Sequence, residues 1–159
     1  MKTSYLIMAV ANVALLALTA TLGMTVSGMD GYMRHFLLGV LAAFFACFVH
    51  VVAYMYFVVQ EKIVQQAVLH DGLDAAHHNA ALGIKSRALW ISMAGIVSVL
   101  ATVFCGAMIG IVATSTPHLL VAFGAVGANV VVSWYQYALI SDYGRLFDRA
   151  FAEPSRGAS

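Results

Sequence analysis

Ionised side chains are scarce in this 159-residue chain: seven Asp and Glu and eight Lys and Arg make up 9% of it, where a soluble domain carries about 25%. That deficit excludes an ordinary water-soluble domain. The net charge of +1 provides no basic surface for a polyanion, so nucleic acid is not an expected partner. There are only two prolines, so long helices can run uninterrupted. The two cysteines, Cys47 and Cys105, stand far apart in apolar runs and read as packed thiols. No Cys-x-x-Cys-His occurs, which excludes covalently attached haem. A Gly-rich phosphate loop, a His-Glu-x-x-His pair and a plausible Ser/His/Asp arrangement are also missing, and no carboxylate lies within the apolar runs. Catalytic activity of its own is therefore not expected, and ion-coupled transport lacks its usual carboxylate.

What the chain does have is apolar length. Hydrophobic residues make up 62% of it, and residues 3–29, 35–60 and 88–141 contain no Asp, Glu, Lys or Arg. A bilayer core of about 30 Å takes about 20 helical residues, so the first two stretches hold one crossing each and the third holds two. Thr114, Ser115, Thr116 and Pro117 divide that third stretch. The first apolar run is too long for the core of a secretory signal and reads as a helix. The expected fold is all-α: a polytopic, four-helix transmembrane bundle in a single domain, 1–159, with crossings near 4–28, 34–58, 88–113 and 118–141. Past the second crossing the apolar pattern continues to His70, Gly72 suits a helix end and Asp74 suits an N-cap. Leu146, Phe147, Ala150 and Phe151 likewise continue the fourth helix until Pro154. The helices are thus expected near 4–28, 34–71, 75–113 and 118–152, with the second, third and fourth extended into the cytoplasm and Glu61, Lys62, Asp142, Arg145, Asp148 and Arg149 on solvated faces.

Orientation follows from the basic residues. Four crossings put Lys2, Lys62, Lys85, Arg87, Arg145, Arg149 and Arg156 on one side and leave Arg34 on the other. By the positive-inside bias this predicts a multi-pass protein of a bacterial-type inner (plasma) membrane with both termini cytoplasmic.

Inside lipid, helices associate through small residues and interhelical hydrogen bonds, so small and polar side chains mark the inward faces. On the second helix the stripe is His35, Gly39, Ala43, Cys47, His50 and Tyr54; on the fourth it is His118, Ala122, Ala125, Asn129, Ser133 and Gln136. The third offers Gly95, Ser98, Thr102 and Gly106, and the first Asn12, Leu16, Thr19 and Gly23. These stripes predict an intramembrane polar cluster of Asn12, His50, Tyr54, Asn129, Ser133 and Gln136. An ionisable residue at the depth of His50 is a functional candidate; the alternative is a neutral ring clamped by Asn12, Ser133 or Tyr54.

Two further histidine groups stand out. His35 and His118 fall at the outer ends of two parallel helices, heading a slot of Gly39, Ala43, Ala122 and Ala125, an arrangement able to offer two axial ligands to haem b. His70, Asp74, His77 and His78 gather at the central turn, where imidazole and carboxylate could hold a divalent metal if the helix ran through; Gly72 and the Asp74 cap argue that it does not. Taken together, these features predict a non-catalytic membrane subunit that packs in a larger assembly, such as a bioenergetic complex, or with itself, surrounded by lipid. A second reading is a redox subunit for electron transport using His35, His118 and a quinone near His50. A third is a small-solute permease.

Overall fold

The computed structural model describes residues 1–108 and 115–152. It consists of four helices: α1 (Lys2–Gly23), α2 (Gly28–His70), α3 (Ala75–Ala107) and α4 (Ser115–Ala152). All four are long and apolar enough to cross a membrane. At 1.5 Å per residue α1 is about 33 Å long, close to one hydrocarbon thickness, while α2, with 43 residues, reaches about 64 Å. The expected end of the third helix at 113, Thr114, Pro154 and Arg156 lie outside the described residues.

The first two helices meet earlier than expected. α1 ends at Gly23, where the backbone N–H groups of Met24 and Thr25 bond back to the carbonyls of Thr21 and Leu22. Ser27 is extended and Gly28 takes a φ of +66°, so the chain reverses within Met24–Ser27 and α2 starts six residues before the expected 34. At the other end of α2, Gly72 (φ +71°) makes the turn, and the Asp74 carboxylate accepts from the Ala76 N–H at 2.8 Å, capping α3. The second and third helices are separate, as the expected turn requires.

Each helix packs against its neighbours in sequence and α1 closes the ring on α4, while α2 and α4 stand across the diagonal with little backbone contact. Alanine allows the close approaches. Ala42, Ala46, Ala53 and Val49 are buried on α2, as are Ala81 and Ala88 on α3 and Ala122 and Ala125 on α4. This corrects the inward face expected for α2. Gly39, Ala43, Cys47 and Tyr54 are only partly buried, because the alanines one position away set the closest helix contact. The outer surface is apolar, with Phe44 75%, Trp134 74% and Trp90 72% exposed.

Because Ala46 is fully buried, Ala46→Leu should overpack the bundle by about 1–3 kcal/mol. Thermal unfolding in detergent should show a lowered midpoint for Ala46→Leu and none for Phe44→Leu on the outer face.

Candidate functional site

The interior polar residues of the four helices converge on His50. Its ring is fully buried and spans the α2–α4 diagonal: Nδ1 is 3.1 Å from Gln136 Oε1, and Nε2 is 2.9 Å from Asn129 Oδ1. The imidazole fits because α3 presents Gly95 beneath it; a Cβ at that position would lie 2.7 Å from His50 Cε1. Asn12 of α1 donates to Asn129 Oδ1 at 3.2 Å, and Asn129 Nδ2 donates to Ser98 of α3 at 3.1 Å and to the Ala125 carbonyl at 2.9 Å. Gln136 Nε2 donates to Ser92 of α3 at 2.8 Å, and the Tyr5 hydroxyl of α1 donates to Gln136 Oε1 at 2.7 Å. One connected layer ties all four helices together.

The donor balance of this layer identifies a part that can turn. With the Gln136 amide in this orientation both His50 nitrogens face oxygen acceptors, and only an imidazolium carries two N–H donors. A lone cation in lipid is costly. Turning the Gln136 amide over gives a neutral solution: its NH2 donates to His50 Nδ1 and to Tyr5, Ser92 donates to its oxygen, and Tyr5 donates to the Ser133 carbonyl, 3.3 Å away. Asn129 cannot turn in the same way, because its oxygen would then face the Ala125 carbonyl.

Of the expected cluster, Asn12, His50, Asn129 and Gln136 are brought together. Asn12 reaches Asn129 rather than the imidazole. Ser133 contributes its carbonyl to Tyr5, its hydroxyl having no partner among the described residues. Tyr54 is partly buried against the apolar core. Tyr5 and Ser92 were not anticipated. An inward Tyr5 sits seven residues before Asn12, two turns along the same face, and Ser92 lies three before Gly95 on α3.

His35 and His118 also meet across the diagonal, with ring centroids 6.1 Å apart and planes at 78°. Each ring lies against a glycine of the neighbouring helix: a Cβ on Gly23 would be 2.9 Å from His35 Cε1, and one on Gly106 would be 3.0 Å from His118 Cε1. Nδ1 of each histidine is buried and has no hydrogen-bond partner among the described residues.

At the central turn the expected metal ligands are not brought together. Asp74 caps α3, His70 is the last residue of α2, and His78 Nε2 donates to Glu61 Oε1 at 2.8 Å. Among the described residues no group of three or more His, Cys, Asp or Glu is placed to hold a metal ion. Glu61, expected on a solvated face, is instead 1% exposed, with its second oxygen accepting from Lys85 at 2.8 Å. The hairpin explains this, since Glu61 and Lys85 lie nearly equidistant from the turn at Gly72 and face each other in antiparallel register. No family model, curated protein or solved structure matches the chain.

The contact between His50 and Gly95 supports a double-mutant cycle. Gly95→Ala should destabilise the bundle by about 2 kcal/mol, read as a lowered unfolding midpoint, and should be close to neutral in a His50→Ala background. Equal losses in both backgrounds would mean that the glycine acts through some other contact.

Proposed function

We propose that the chain is a multi-pass protein of a bacterial-type inner membrane, with both termini cytoplasmic, that acts as a non-catalytic packing subunit of a larger membrane assembly or of a homo-oligomer. The observation that carries this reading is the closed polar layer around His50. Apart from Asn12 Oδ1, which has no partner among the described residues, its members direct their hydrogen bonds to one another and join four helices, which is the chemistry of a clamp. A permease needs polar groups held open along a path, and this layer offers few. The lengths of α2, α3 and α4 support cytoplasmic extensions, with the Glu61–His78–Lys85 cluster joining two of them beyond the hydrocarbon.

The outer surface supports association. A groove of about 620 Å³ runs between α1 and α4, with Val10, Val13, Ala14 and Ala17 on one wall and Trp134 and Tyr137 on the other. Small side chains flanked by aromatic ones suit close packing of a further helix. In mild detergent the protein should migrate on blue-native gels as an assembly larger than one chain, and Ala14→Trp should release the monomer without lowering its unfolding midpoint. Migration only as a monomer would overturn the assembly reading.

A further inference from the structure

We infer that the His50 layer is a proton-binding site: it takes up one proton from the aqueous phase on His50 Nδ1, and the Gln136 amide turns over to accept it. This goes beyond the packing role proposed above and does not depend on assembly.

Two complete hydrogen-bond patterns fit the same heavy atoms. In the charged pattern both ring nitrogens donate, Nδ1 to Gln136 Oε1 at 3.1 Å and Nε2 to Asn129 Oδ1 at 2.9 Å. Tyr5 then donates to Gln136 Oε1 at 2.7 Å, and Gln136 Nε2 donates to Ser92 at 2.8 Å. In the neutral pattern His50 keeps its one proton on Nε2, and the turned Gln136 NH2 donates to Nδ1 and to the Tyr5 hydroxyl. Tyr5 now donates to the Ser133 carbonyl, 3.3 Å away, and Ser92 donates to the Gln136 oxygen. Passing between the two turns one amide and re-aims two hydroxyl hydrogens; no helix has to shift. Asn129 serves both, because its NH2 is held by Ser98 and the Ala125 carbonyl.

The surroundings direct the proton to His50. From α1 the titratable side chain in the layer is Tyr5, and α2 itself carries Cys47 and Tyr54 about one turn to either side. The side chains that α3 and α4 bring to the layer, Ser92, Ser98, Asn129 and Gln136, do not titrate. Residues 3–29, 35–60 and 88–141 contain no Lys or Arg to repel a proton and no Asp or Glu to compete for it. Imidazole is the side chain whose charge changes near neutral pH. A cation inside lipid is costly, but hydrogen bonds to the charged form favour it, and two amide oxygens stand where water would. Asn12 Oδ1, buried and unpartnered among the described residues, adds a further oxygen to the layer. The charged and neutral rings thus each have a full set of partners, and the Gln136 amide is the two-state element that tells them apart.

The test is NMR of the full chain in lipid bilayers, with histidine rings, glutamine side-chain nitrogens and serine carbons labelled, between about pH 8 and about pH 5, where histidine charge changes. On acidification the His50 ring should pass from one N–H to two while Gln136 Nε2 moves from the ring to Ser92, the other bundle resonances staying in place. Gln136→Leu removes the acceptor and should leave His50 with one N–H throughout. Gln136→Glu guards against a leucine variant that fails to fold: its carboxylate should give His50 two N–H groups already at the alkaline end. An unchanging number of N–H groups on His50 in the unsubstituted protein would overturn the proposal. So would a second N–H gained with the Gln136 amide unmoved, or a titration left unaltered by Gln136→Glu.

Discussion

A hydrogen-bonding group placed inside hydrocarbon must find its partner within the protein, because lipid supplies none. His50, Asn129, Gln136, Asn12 and Tyr5 find partners in one another over two turns of the bundle, with Asn12 Oδ1 left over among the described residues. Hydrophobic burial contributes little to the association of helices surrounded by acyl chains. Two other terms remain: close contact between alanine-rich faces, and these hydrogen bonds, which have a direction and a register. Alanine contacts allow many rotations of one helix against another, whereas the His50 layer permits few.

Glycine and histidine divide the work of spanning the diagonal. α2 and α4 make little backbone contact, so a long planar side chain is needed to join them over most of their length, and it needs space beside a third helix. Gly95 provides that space for His50, Gly23 for His35 and Gly106 for His118. The same device has two outcomes. At His50 both ring nitrogens find side-chain partners and the site is closed; at His35 and His118 one nitrogen on each ring is left over.

Much of this architecture was legible in the residues. The absence of charge across 3–29, 35–60 and 88–141 marks the helices, and Gly72 with Asp74 marks the turn between α2 and α3. Asn129 and Gln136 share a face at a spacing of seven, and His35 and His118 fall at the outer ends of two parallel helices. The errors have physical causes. A stripe of small residues on α2 pointed one position away from the buried alanines, because Gly39, Ala43 and Cys47 are as small as Ala42 and Ala46 and composition cannot rank them. Glu61 was read as solvated because charge normally is, while its burial depends on two partners supplied by α3. Tyr5 was hidden in a run of apolar residues, and its inward direction emerges only once Gln136 is seen opposite it.

The central claim is that His50 is turned inward and held by α4. The most direct measurement is magic-angle-spinning NMR of the protein in lipid bilayers, with the histidine rings and the Asn and Gln side chains isotopically labelled. Through-space correlations from the His50 ring to the side-chain amides of both Asn129 and Gln136 are predicted, with no contact to acyl chains. Correlations to lipid protons, with none to either amide, would contradict the account.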